Sequence, residues 1–212
     1  MNCRIVFFLL ILPFFGLSQK TKLDLKNIEK NLSNPNSTYN YDRLIFKFRG
    51  LPKSIDSTEA QHLYYGRNFR KDNLVSQNGD DFKDLAEAFK SNNFIECIRL
   101  GKVLYAKDPT NLDVILILLR AYDQTKDIGN FSHHIAQLRL LTDAIKDSGD
   151  GKSEKTAYKV NSVGDEYIFL NVMNVGQDYT RASKTLKDGI VDIWEKDENK
   201  IYIKVLYLDL IF

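Results

Sequence analysis

The sequence predicts an α+β fold in which helical hairpins pack on a carboxy-terminal antiparallel sheet of about four strands. Apolar residues recur at helical spacing from Leu23 to Ile145, and the period falls to two after Gly149. The third observation is one of burial. Stacked helical arrays need about three repeats or dedicated caps; fewer hairpins are legible here, so the tail should cover their open apolar side.

The chain has 212 residues and opens with MNCRIVFFLLILPFFGLSQ. Arg4 precedes an apolar run from Ile5 to Phe15, and Gly16 and Ser18 are small. That pattern marks residues 1–18 as a secretory signal peptide, cut after Ser18. The run is about 11 residues, whereas a membrane-spanning helix takes about 20. The processed protein is therefore expected to be soluble, periplasmic or secreted, with no stable membrane insertion. Cys3 does not stand at the cleavage point, where lipid attachment would need it. Cleavage leaves Cys97 as the only cysteine, so no internal disulfide is expected. A chain of about 190 residues buries a sufficient core without one. The apolar helical pattern around Cys97 reads as a buried structural thiol.

Residues 19–40 read as an N-terminal helix and linker, with Leu23, Leu25, Ile28 and Leu32 at helical spacing ahead of SNPNSTYNY. Residues 41–212 read as a single α+β domain, its helical half 41–147 and its sheet half 148–212. Asp42 to Gly50 adds helical turns, and Ser57-Thr58-Glu59 opens a helix that stops at Gly66. Phe82, Leu85, Ala86 and Phe89 then occupy one helical face, with Asp80-Asp81 expected as its cap. A second face, Phe94, Ile98, Gly101 and Tyr105, follows Ser91-Asn92-Asn93, and Asp108-Pro109 ends it. VILILLRAY, after Asn111, is apolar nearly all round, which predicts a central helix. A fourth helix runs from about Phe131 to Asp147, with Phe131, Ile135, Leu138 and Ile145 on its buried stripe.

The joint between the halves lies in SGDGKSEKTAYKVNSVGDEY, residues 148–167. Gly149 fits a helix-terminating position and Gly151 a tight turn. Tyr158 and Val160 alternate with Lys159 and Asn161 as a first strand, Gly164-Asp165 reads as a turn, and EYIFL as a second strand. Tyr179 to Lys187 is a short helical candidate. After Gly189, IVDIW and the run IYIKVLYLDLIF read as two more strands, antiparallel across the polar turn Glu195 to Lys200. The last strand is apolar on both faces, which predicts cover on one and partial cover on the other.

Two resemblances rest on these residues. The stretch AEAFKSNNFIECIRLGKVLYAKDPTNLD is similar to a tetratricopeptide-type helical hairpin, with Phe94, Cys97, Gly101 and Pro109 in the expected places, although its first helix lacks the usual Trp and Gly. The larger order is a secretion signal, LYYG, that hairpin, SGDGKSEKTAYKVNSVGDEYIFL and an aromatic-rich final strand. It resembles exported bacterial proteins that carry the domain of unknown function 4919, from roughly Tyr39 to the carboxy terminus. The SGDG turn followed by TAYKV and DEYIFL is the most specific part. YLDL near the end departs from the aromatic-rich YFD-like strand of the family. The resemblance implies a secreted or periplasmic protein of Gram-negative bacteria and no particular activity.

The formal charge is +2 from 30 basic and 28 acidic residues mixed along the chain, so nucleic acid and anionic membrane are not expected partners. No catalytic, cofactor-binding or metal-ligating residue and no cofactor is assigned. Asp147, Asp150, Ser153 and Glu154 offer oxygens to calcium, but their spacing is not that of an EF-hand loop, and a solvated connecting turn is the expectation. A phosphate cradle would need GK[ST] after a glycine loop, which is absent. His133 and His134 point about 100° apart on a helix and read as surface residues, while His62 reads as a packed one. Tyr64, Tyr65, Phe69, Tyr158, Tyr167 and Phe169 could bind sugar or peptide, but core packing is expected of them. Glu195, Asp197 and Glu198 belong to a solvated hairpin turn.

Two functions fit this pattern. One is a non-enzymatic envelope scaffold that binds a protein or peptide through a helical groove between Phe82 and Asp147. The other is a hydrolase-like enzyme with a site between helices and sheet, built on Asp150, Asp165, Glu166 and His133. The second requires a pocket with a strongly perturbed acid or histidine, and the first does not.

Overall fold

The computed structural model describes residues 23–70 and 74–206. The expected signal segment, its cleavage site and residues 207–212 of the last apolar run lie outside the described residues. Seven helices come first: α1 (Leu25–Leu32), α2 (Tyr41–Gly50), α3 (Ser57–Gly66), α4 (Asp80–Lys90), α5 (Phe94–Lys107), α6 (Leu112–Thr125) and α7 (Ile128–Asp147). Strand β1 (Tyr158–Val160), helix α8 (Val163–Val172) and strands β2 (Thr180–Leu186), β3 (Gly189–Lys196) and β4 (Asn199–Leu206) follow.

Short polar side chains set most helix starts, because each accepts a hydrogen bond from an otherwise orphaned N–H of the first turn. Asp56 and Glu59 form a reciprocal capping box on α3. Asn93 and Asn111 cap α5 and α6. Asp127 caps α7, which starts at Ile128 and not at Phe131, directly after the left-handed Lys126 that ends α6. The expected Asp80-Asp81 cap is corrected. Gly79 holds the cap position of α4 without a side-chain bond, and the two acids lie in the first turn, where Asp80 pairs with Lys83 and Asp81 with Lys107.

Two elements of the tail differ from expectation. EYIFL is not a strand: Ser162 accepts the N–H of Asp165, and the chain continues as α8. The segment from Tyr179 to Lys187 is not a helix: Thr180–Leu186 is β2, paired antiparallel with β3 from Thr180 opposite Glu195 to Leu186 opposite Gly189. The sheet is therefore mixed, in the order β1-β4-β3-β2. β3 and β4 form the expected antiparallel hairpin, but β1 lies parallel to β4, Tyr158 opposite Ile203.

One core runs through both halves. It joins Leu44, Phe48, Leu63, Tyr64 and Tyr65 of α2 and α3 to Leu141 and Ile145 of α7, and continues into Val160, Phe169, Ile203 and Val205. α8 packs against α6, α7, β1 and β4, so it stands between the first helices and the sheet. A satellite core under α4, α5 and α6 holds Leu85, Cys97, Leu104 and Leu118. Cys97 is fully buried there, and that burial pushes its thiol up and away from reactivity.

The SGDG segment is a stitched joint. Asp150 and Gly151 both donate their N–H to Thr156 O, Lys159 N donates to Ser148 Oγ, and Tyr202 N of β4 donates to Gly151 O. Gly151 has a φ of 66°, and a Cβ there would meet the Tyr158 ring at 2.3 Å, so the position favours glycine twice over.

Candidate functional site

α8 begins Val163-Gly164-Asp165-Glu166-Tyr167, and its two acids are the most perturbed carboxyl groups in the described residues. The helix is apolar and its flanks are covered on both sides, so Asp165 and Glu166, adjacent in sequence and about 100° apart around the axis, turn to opposite neighbours. Gly164 lies under the side chains of Gln77 and Asp113, whose Nε2 and Oδ2 a Cβ would approach at 2.7 and 3.1 Å.

Asp165 faces the helices. Tyr64 Oη donates to its Oδ2 at 2.7 Å, and Asn161 N donates to the same Tyr64 oxygen at 3.0 Å. Asn161 Nδ2 also donates to Tyr64 O, which ties the end of β1 to α3. Burial pushes the Asp165 carboxyl up to about 6, against the opposing pull of Arg67 and the Tyr64 hydrogen bond. Arg67 itself forks onto fully buried Asp108, Nε at 2.9 Å and Nη2 at 2.7 Å from Oδ2, and Val75 N donates to that oxygen as well.

Glu166 faces the sheet. Trp194 Nε1 donates to its Oε1 at 2.6 Å, and Arg181 Nη2 lies 3.5 Å from its Oε2 and 2.6 Å from Asp192 Oδ2. Ser183 Oγ donates to Asp192 Oδ1. Neither Glu166 nor Asp192 is exposed at all. Burial and the neighbouring Asp192 charge push Glu166 up to about 7. Burial works the same way on Asp192, but hydrogen bonds from Arg181, Ser183 and Glu166 outweigh it and hold Asp192 below the usual range. Glu166 Oε2 is buried with no donor aimed at it. The raised Glu166 favours a proton shared with Asp192, and Arg181, 3.5 Å from Oε2 and 2.6 Å from Asp192 Oδ2, supplies the counter-charge to the pair.

A cleft of about 450 Å³ opens beside this pair, lined by Tyr167, Leu170, Asn171, Val175, Gln177 and Trp194. Tyr167 is half exposed and meets Trp194 edge to face at 5.6 Å between centroids. The Arg181 guanidinium stands over both rings, 5.8 and 5.7 Å from their centroids, and donates to Tyr167 Oη.

The other residues singled out in the sequence go elsewhere. Asp150 Oδ1 accepts Lys152 N, and Glu154 pairs with Lys184. Among the described residues no group of three or more His, Cys, Asp or Glu side chains could hold a metal. His133 lines a separate groove of about 460 Å³ between α7 and the segment Gly50, Leu51, Pro52, Lys53 and Ser54. The structure thus brings Asp165 and Glu166 to one helix but leaves Asp150 and His133 outside their networks. His134 is corrected from a surface residue to a buried one. It sits between Tyr105 and Tyr122 with Nδ1 2.9 Å from Asn130 O, and burial lowers its pKa. His62 is packed as expected, stacked on Tyr39 at 4.3 Å. Of the aromatic set, Tyr64, Tyr65 and Phe169 are core, and Tyr167 is the one that opens to a cleft. Sequence reasoning missed Arg181, Asp192 and Trp194. Their signal was the Asp188-Gly189 step, where the loop Lys187-Asp188 joins two strands that pair from Leu186 opposite Gly189 and so sets Arg181 opposite Trp194 and Ser183 opposite Asp192.

The family model described as a domain of unknown function, DUF4919, matches residues 26–211. The chain belongs to this family. No curated protein and no solved structure matches it. The DUF4919 match contains α8, the joint and the whole described sheet, so both acid networks and the cleft lie within the family's domain. Among the described residues no helix is long and apolar enough to cross a membrane.

Proposed function

We propose that the chain is exported to the periplasm or beyond and acts there as a non-enzymatic module that binds another protein or peptide. The binding side is the one formed by α8 and the sheet, in place of the helical groove that the sequence suggested. One observation carries this reading. The strongly perturbed acids are turned inward, each onto a partner that fixes α8, and the surface above Glu166 is an aromatic and amide cleft with a cation at its rim. Such a surface suits recognition: rigid aromatic walls lose little entropy on contact, and amides orient a bound backbone. The hydrolase-like reading has one point in its favour, the Glu166 carboxyl near 7. Against it, the ring of Trp194 lines the cleft while its nitrogen holds Glu166, so the acid stands behind the wall.

The test is a photo-crosslinking amino acid placed at Tyr167 in the full chain, expressed in its native bacterium, with a control probe at exposed Ile128 on α7. A reproducible protein adduct in the envelope or medium, formed from position 167 and not from 128, is the expected result. Retention of the chain in the cytoplasm, or no adduct from position 167, overturns it.

A further inference from the structure

We infer that Glu166 and Asp192 form a proton-operated latch on the cleft: while they share one proton Arg181 lies across its rim, and on releasing that proton to water they draw Arg181 inward and open it. This rests on the binding reading above and concerns the regulation of that site.

Charge balance is the first support. Both carboxyl groups are fully buried, and among the described residues the cation paired with them is Arg181. Two carboxylates against one guanidinium would leave a buried negative charge without a counter-charge, and such a charge is costly enough that the pair holds a proton instead. The contacts of Glu166 Oε2 show the same imbalance, since that atom is buried, has no hydrogen-bond donor aimed at it and lies 3.5 Å from Arg181 Nη2.

Arg181 is at once the counter-charge of the pair and a part of the cleft. Its Nη1 donates to Tyr167 Oη at 3.3 Å, and its guanidinium stands over the rings of Tyr167 and Trp194. Its Nη2 is 2.6 Å from Asp192 Oδ2 but 3.5 Å from Glu166 Oε2, longer than a charge-assisted hydrogen bond, which runs about 2.7–2.9 Å. Loss of the shared proton doubles the negative charge that the guanidinium faces, and the longer contact closes. The bond that yields is the one to Tyr167, a neutral acceptor on a half-exposed side chain. Trp194 stays in place, because a carboxylate accepts its N–H more strongly than a protonated acid does. The wall of the cleft therefore stands while the cation leaves its rim.

The other charges on the elements around α8 are committed elsewhere. On α6, Asp113 accepts from Gln77 Nε2, and on α7 Asp143 interacts with Lys146, Asp147 and Arg139. Lys159 of β1 donates to Ser148 O, and Lys204 of β4 pairs with Asp188. On β2 and β3, Lys184 pairs with Glu154, Glu195 with Lys200 and Lys196 with Asp178. Asp165 is a near neighbour with a pKa of about 6, but it faces Tyr64 on the helix side, and substitution at Glu166 separates the two.

Trp194 is the only tryptophan of the chain, so its fluorescence reports the wall of the cleft alone. The experiment measures quenching of that fluorescence by acrylamide in the exported chain between pH 5 and pH 9. The quenching constant should rise in one step at about pH 7, as the pair ionises and the rim opens. Glu166→Gln should hold the low-pH value throughout. Tyr167→Phe keeps both carboxyls and alters only a half-exposed hydroxyl, so it serves even where Glu166→Gln does not fold. Its quenching should stand near the open value already at pH 5, while a carbon-13 NMR titration still shows the Glu166 carboxyl ionising. A flat profile in the parent chain, a step that survives Glu166→Gln, or a Tyr167→Phe profile identical to the parent's overturns the latch. A flat profile together with an adduct from position 167 removes the latch and leaves the binding reading intact; the step without any adduct does the reverse.

Discussion

The two sides of α8 solve the same problem differently. On the helix side one acid, Asp165, accepts from a neutral donor, Tyr64, with Arg67 contributing only at longer range because Asp108 holds its guanidinium. On the sheet side two acids, Glu166 and Asp192, share a neighbourhood with one cation and one indole. The comparison teaches how a buried helix can be docked on both flanks by carboxyls without stranding charge. A neutral donor suffices where the acid is alone; where two acids meet, a proton and an arginine are both needed.

The largest effect on that comparison comes from Phe169→Ala, since Phe169 is buried and packs edge to face on Tyr158, between the two networks. A loss of about 3–4 kcal/mol in denaturant unfolding is expected, with both networks released together. Arg181→Ala leaves Asp192 and Glu166 without their cation and should cost about 3 kcal/mol at pH 8, less at pH 5, because protonation then removes the stranded charge. Equal losses at the two pH values would show that Arg181 acts through packing alone.

Glu166→Gln separates the two sides by pH. Glu166 is raised from 4.5 to about 7 and Asp165 from 3.8 to about 6, so the folded state holds protons that the unfolded chain has released. Stability contributed by these groups is complete below about pH 4 and falls as pH rises to about 7. Glutamine mimics the protonated acid, accepting from Trp194 and donating to Asp192. The variant should match the parent near pH 5 and exceed it at pH 8 by on the order of 2 kcal/mol, measured by urea midpoints. An unchanged pH slope would place the proton elsewhere. Tyr64→Phe is the smaller, helix-side counterpart. It removes one donor from a buried acceptor, should cost about 1–2 kcal/mol, and should raise the Asp165 pKa further in a carbon-13 NMR titration.

The helices were legible because their starts carry local chemistry. Asn93, Asn111 and the Asp56–Glu59 pair sit where the chain must satisfy free N–H groups, and apolar spacing did the rest. The tail was legible only in part. IVDIW and IYIKVL alternate and were read as a hairpin, which they form. α8 was hidden because the stripe it leaves exposed, Val163, Tyr167 and Val172, is as apolar as the face it buries, so no alternation of polar and apolar residues marks the helix. Ser162-x-x-Asp165 was its one local mark, a cap ahead of an apolar run. β2 was hidden for the opposite reason: it is polar and exposed from Thr180 to Thr185, so no burial pattern distinguished it from a polar helix, and Asp188-Gly189 was the mark that pairing would override propensity. The Glu166–Asp192–Arg181 cluster joins residues that only this corrected pairing brings together, so the site could not be read before the strand was.

The position of β4 has a consequence for biogenesis. Among the described residues the last strand in sequence, β4, is not at the border of the sheet but in its interior, between β1 and β3. A ribosome that releases the polypeptide before Asn199 leaves β1 and β3 with no common neighbour, so a truncated product cannot imitate the finished molecule. Assembly of the sheet must wait for this late segment to emerge, so the fold is completed from its carboxy-terminal side.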